Sequence, residues 1–117
     1  MRTLIAVITF VTVGTFAAAQ PATEYSASEA AKHVGESAIV TDKVSNVHQS
    51  GKGNIFVNMG GSYPNQAFTG FIPASAGSAF SDVKQYDGQT LSISGKITLY
   101  KGKPEIVVTS PSQIRKH

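Results

Sequence analysis

The segment Gly53–Ile72, GNIFVNMGGSYPNQAFTGFI, constrains this chain more than any other stretch. Ile55, Val57 and Met59 alternate with Phe56 and Asn58; further on, Phe68, Gly70 and Ile72 alternate with Ala67, Thr69 and Phe71. A period of two is the mark of a strand with one face in a core. The residues between the two runs, Gly60 to Asn65, have the chemistry of a turn. The segment therefore predicts an antiparallel hairpin, and the alternation sorts its side chains. Ile55, Val57, Met59, Phe68 and Ile72 belong to the core. Phe56, Asn58, Thr69 and Phe71 belong to the opposite face, with Tyr63 in the turn.

The remaining elements follow from the same patterns. Ser26-Ala-Ser-Glu29 reads as a capping box that opens a short helix through Ala30, Ala31 and His33. Ala27, Ala30, Ala31 and Val34 give this helix an apolar face, and Gly35 ends it as a left-handed residue. From Glu36 the period becomes two. Ala38 and Val40 point one way, and Val44 and Val47 follow a phase break near Thr41-Asp42, which predicts a bulge. His48 to Gly53 is a turn by composition, and Pro73 stops the third strand. Ala76, Phe80 and Val83 predict a helix or helical turn within Ala74 to Tyr86. Leu91, Ile93, Gly95, Ile97 and Leu99 then predict a long strand with these residues inward. Lys101-Gly102 is a hairpin signal, and Glu105 to Thr109 forms the last strand, with Ile106 and Val108 inward. Ile114 packs against the body.

The order is helix, three strands, short helix, two strands. The fold class expected is all-β: a five-stranded OB-fold-like barrel with an N-terminal helix and a short helix between strands 3 and 4. Gly70 and Gly95 lie in strand interiors, as expected where short strands bend to close a small barrel.

Residues 1–19 read differently. Arg2 supplies a positive start, Leu4 to Phe16 is largely apolar, and Ala17-Ala18-Ala19 resembles a cleavage site. This is the pattern of a secretory signal peptide, with an uncleaved anchor as the alternative. The expected organisation is signal peptide 1–19, tail and helix 20–34, barrel 35–114 and basic tail 115–117. The protein is then periplasmic or secreted, free of the membrane after cleavage. The chain has no cysteine. A disulfide framework, a thiolate metal site and a cysteine nucleophile are excluded, so stability must come from the core. Residues 20–117 carry nine cations against seven carboxylates, a mild net charge of +2. That balance is compatible with a polyanionic ligand without demanding one.

Enzymatic patterns are not evident. His33, His48 and His117 are scattered, no HxH or HExxH spacing occurs, and no serine lies in a G-x-S-x-G elbow. We expect a non-catalytic protein with no cofactor and no metal site. The aromatic set carries the functional reading. Single-strand binders stack bases on exposed aromatics beside cations. The candidate ligand-binding residues are Phe56, Asn58, Tyr63, Thr69, Phe71 and Tyr100, flanked by Lys52, Lys101 and Lys103 in the first and last loops.

The run NIFVNMGGSYPNQAFTGFI resembles bacterial exported OB-fold modules of the nucleic-acid-binding type, and YDGQTLSISGKITLYKGKPEIVVTSPSQI resembles the strands that close them. Met59 departs from the pattern, which has an aromatic residue there. The resemblance implies binding of single-stranded nucleic acid or an oligonucleotide. A more distant resemblance, to small periplasmic OB-fold proteins linked to envelope stress, implies instead an adaptor that binds a small molecule, an envelope protein or an oligosaccharide. An open edge strand would also allow two copies to pair.

Overall fold

A computed structural model describes residues 23–117; the expected signal peptide and its cleavage after Ala19 lie outside the described residues. The strands are β1 (Glu24–Tyr25), β2 (Ser37–Gln49), β3 (Ile55–Met59), β4 (Phe68–Ile72), β5 (Thr90–Lys96), β6 (Thr98–Tyr100), β7 (Lys103–Val107) and β8 (Ile114–Lys116). They form one sheet in the order β6-β7-β4-β3-β2-β5-β8, with β1 parallel to β2. Short 3₁₀ helices span Ala27–Lys32, Ala74–Ala79, Val83–Tyr86 and Pro111–Gln113.

β2 organises the sheet by changing partners along its length. Ser37 to Lys43 pair with β5, and Val44 to Gln49 pair with β3. The register slips between Val44 and Asn46. The bulge therefore falls later than the expected break near Thr41-Asp42. Ala38, Val40 and Val44 share one parity and are all buried; Val47 is the first to change it. The bend sits where the strand passes from one partner to the other, which the sequence of β2 alone cannot reveal.

The five residues assigned inward in the hairpin are all buried, together with Val40, Val44, Leu91, Ile93, Ile97, Ile106 and Val108. Each such side chain contributes about 1.5–3 kcal/mol, and this core stands in for disulfides. Two glycines let the strands approach across it. A Cβ on Gly70 would lie 2.7 Å from Ile93 Cδ1, and one on Gly95 would lie 2.6 Å from Ile106 Cγ2. β4 and β7 thus face β5 through the core, but no ladder joins β5 to β7 and the sheet is not closed. A side chain spans that gap. Gln113 Nε2 donates to Ser94 O at 2.9 Å and to Val107 O at 3.1 Å. Its Oε1 accepts from the amides of Thr109 at 2.9 Å and Ser110 at 3.2 Å.

Several local expectations change. The N-terminal helix has its capping box but ends at Lys32 with His33 as its C-cap, so Gly35, at φ +98°, lies in the turn that follows rather than directly after the helix. Being 3₁₀, with three residues per turn, it aligns Ala27 with Ala30, and those two are buried while Ala31 and Val34 are exposed. The segment 74–86 likewise forms two 3₁₀ turns rather than one helix, with Phe80 and Val83 buried. The long strand breaks at Ile97, whose amide donates to Glu36 O and whose carbonyl accepts from Gly35. Beyond the break β6 pairs with β7 alone, and Leu99, expected inward, is 57% exposed. Arg115 and Lys116, read as a tail, pair with Ser92 and Leu91 in β8.

Candidate binding groove

The outer face of β2, β3, β4 and β7 is built in rows by cross-strand register. One row runs His48, Phe56, Phe71, Val107. The His48 and Phe56 rings stack with centroids 5.9 Å apart, and Phe56 and Phe71 meet at 5.3 Å with a tilt of 49°. The next row runs Asn46, Asn58, Thr69, Glu105 and then Thr98 of β6. Its polar groups satisfy one another. Asn58 Nδ2 donates to Asn46 Oδ1 at 3.1 Å, Thr69 Oγ1 donates to Asn58 Oδ1 at 2.9 Å, and Gln66 Nε2 donates to Thr69 Oγ1 at 3.3 Å. Asn58 is 1% and Thr69 5% exposed. They form a buried floor, whereas alternation had left them on an open face. The cover comes from the β3–β4 loop, held down where Lys103 Nζ donates to Gln66 O at 2.9 Å.

Above this floor lies a groove of about 560 Å³, a size typical of small-ligand sites. Seven of the nine candidate residues line it: Phe56, Asn58, Tyr63, Thr69, Tyr100, Lys101 and Lys103. Lys52 and Phe71 do not. Lys52 is exposed in the first loop, and Phe71 is half-buried one strand beyond Phe56. The lining also includes His48, Ser50, Pro64, Gln66, Pro104 and Glu105, which sequence reasoning missed. Glu105 was within reach, since it shares outward parity with Lys103. Gln66 lies in a loop and carries no periodic signal.

The rim is aromatic and open to solvent. Tyr63 is 74% and Tyr100 55% exposed. Lys101 Nζ lies 5.4 Å from the Tyr100 ring centroid, within cation–π range. Inside, partial burial pushes the Glu105 carboxyl above its usual pKa, and among the described residues no cation pairs with it. The groove thus offers flat apolar faces at its mouth, ammonium groups along one side and hydrogen-bond acceptors on its floor. Among the described residues, no group of three or more His, Asp or Glu side chains could hold a metal ion, and no helix is long and apolar enough to cross a membrane.

No family model and no curated protein sequence matches the chain. Its fold does have counterparts among solved structures. OBody AM1L10 bound to hen egg-white lysozyme is 17% identical with a TM-score of 0.55, over 84% of this chain and 96% of that one. OBody AM2EP06 bound to hen egg-white lysozyme is 14% identical with a TM-score of 0.55, over 83% and 94%. A "putative aspartyl-tRNA synthetase" from Leishmania major Friedlin is 10% identical with a TM-score of 0.52, over 96% of this chain. The match spans 23% of that synthetase's length. Identities this low speak to the fold alone: the chain is a mostly β, OB-fold-like protein whose sheet is left open.

Proposed function

We propose that this chain is a non-catalytic, exported OB-type binding module whose groove holds single-stranded nucleic acid or an oligonucleotide. In this reading β2, β3, β4, β5 and β7 are the five barrel strands, and Gln113 takes the place of the missing ladder between β5 and β7. One observation carries the ligand assignment: five of the seven aromatic and cationic candidates, Phe56, Tyr63, Tyr100, Lys101 and Lys103, line one groove across β3 and β4. OB folds commonly take oligonucleotides and oligosaccharides on this face. Phe56, Tyr63 and Tyr100 stack bases, while Lys101 and Lys103, with Lys52 at the nearby loop, neutralise phosphates. The signal-peptide pattern supports a periplasmic or secreted location.

Fluorescence anisotropy with a labelled oligonucleotide, titrated across ionic strength, tests this. Each phosphate neutralised on a single strand contributes a log–log slope of about −0.7. Two or three lysines therefore predict about 7- to 18-fold weaker binding between 50 and 200 mM salt. Absence of binding at low salt, or binding indifferent to salt, would refute the reading.

A second reading rests on Glu105, whose carboxylate repels phosphates. Under it the groove docks an envelope protein, and the OBodies bound to lysozyme are proteins of similar fold engaged with a protein. A partner bound through this groove without salt dependence would favour that reading.

A further inference from the structure

The hydrogen-bond chain on the groove floor has a direction. Thr69 gives its one hydroxyl hydrogen to Asn58 Oδ1, so it meets Gln66 as an acceptor and takes the Gln66 amide hydrogen. Gln66 Oε1 is left at the end of the chain. Gln66 is 7% exposed, and its Oε1 is buried with no hydrogen-bond partner among the described residues. A buried acceptor left unpaired is costly and uncommon. A second acceptor stands nearby, because Glu105 pairs in register with Thr69 from the neighbouring strand and lines the same groove. Thr69 thus stands between the Gln66 amide, which meets it through its nitrogen and leaves its oxygen unpaired, and Glu105, and the groove that holds them opens between aromatic rims.

Planar ligands differ in how well they meet two acceptors. The base-pairing edge of guanine presents two adjacent donors, N1–H and the N2 amine. Thymine and uracil present one N–H between two carbonyl oxygens, which would face Gln66 and Glu105 as acceptor against acceptor. Adenine and cytosine present one amine beside an acceptor nitrogen. Unstacked bases of single strands are read on these edges. We infer that the groove selects guanine, with Glu105 and Gln66 Oε1 accepting from its base-pairing edge while Phe56 and the rim tyrosines pack against its ring. This rests on the nucleic-acid reading above and adds base selectivity to it.

The test uses the purified protein and a labelled oligothymidylate carrying one central guanine, one central inosine or no substitution. Inosine keeps N1–H and lacks the N2 amine. One guanine should tighten binding by about 5-fold or more over thymine, the lower end expected for a bidentate base contact, and inosine should lose part of that gain. Glu105→Gln and Gln66→Met should each reduce the guanine gain, taken as the ratio of guanine-containing to unsubstituted oligothymidylate binding by the same variant, with circular dichroism showing that each variant is folded. Equal binding of all three oligonucleotides would overturn the inference and leave the nucleic-acid reading standing. No binding of any would overturn both. A guanine gain that persists in both variants would also overturn it.

Discussion

Gln113 is the residue whose replacement most directly probes how the open sheet is held together. Its amide nitrogen joins Ser94 O of β5 to Val107 O of β7, and its oxygen caps the turn at Thr109 and Ser110. Gln113→Ala removes all four, and with them a longer bond that Oε1 accepts from Thr109 Oγ1 at 3.4 Å. A net neutral hydrogen bond contributes about 0.5–1.5 kcal/mol. Val107 and Thr109 are exposed, so water replaces much of what they lose, whereas Ser94 and Ser110 are partly buried. The expected loss is about 1–3 kcal/mol, or a Tm lower by about 5–20 °C for a domain of this size. Gln113→Glu separates the two roles. A carboxylate can still accept from Thr109 and Ser110, but it cannot donate and faces two carbonyl oxygens. It should destabilise at pH 7 at least as much as the alanine variant, despite a preserved cap. Those carbonyls raise the pKa of the introduced carboxyl in the folded state. Its penalty is therefore present above that raised value and fades as pH falls through it, when an O–H donor returns. Thermal and urea denaturation followed by circular dichroism at pH 7 and near pH 4.5, each against the parent protein, reads both effects. An alanine variant within about 0.5 kcal/mol of the parent, the scatter of inert surface changes, would refute the bridging role. So would a glutamate variant as stable as the parent at pH 7, since Gln113 would then act as a cap alone.

Tyr63→Ala and Tyr100→Ala should each weaken oligonucleotide binding by about 1–3 kcal/mol with little change in Tm, because both rings are exposed. Phe71→Ala should do the reverse, lowering stability by about 0.5–3 kcal/mol while oligonucleotide affinity holds, because Phe71 packs on Phe56 outside the groove lining. The Glu105 carboxyl has a raised folded pKa, so its ionisation costs stability as pH rises through that value. Glu105→Gln should flatten that decline in a pH series of urea midpoints. Glu36 behaves oppositely: hydrogen bonds from Tyr25 Oη and His33 hold its carboxyl below the usual value of 4.5. Its stabilisation is present above that usual value and is lost as pH falls through the depressed one, so Glu36→Gln should show a shallower acid limb than the parent.

Much of the fold was legible because burial follows alternation within a strand. Ile55, Val57, Met59, Phe68 and Ile72 were assigned to the core from period two alone, and all are buried. The misassignments have a common origin. Leu99 has inward parity but lies past the point where the chain leaves the sheet body at Ile97. Of the expected helical face Ala27, Ala30, Ala31 and Val34, the 3₁₀ turn buries only Ala27 and Ala30. The candidate site was legible in its aromatic and cationic members. Asn58 and Thr69 were read as surface because nothing near them in sequence shows that a loop and Lys103 would cover them.

The sequence by itself determined what depends on neighbours along the chain: which residues alternate, where glycine and proline interrupt, and which aromatics stand opposite the core. Those are local matters of backbone sterics and burial on one face of a strand. The tertiary structure decided what depends on residues far apart. It moved the β2 bend to the change of partner, put Gln113 across the gap between β5 and β7, and drew Gln66 and Glu105 to either side of Thr69. Hydrogen-bond partners of this kind are chosen by which strands become neighbours, and no spacing along one chain segment encodes that choice.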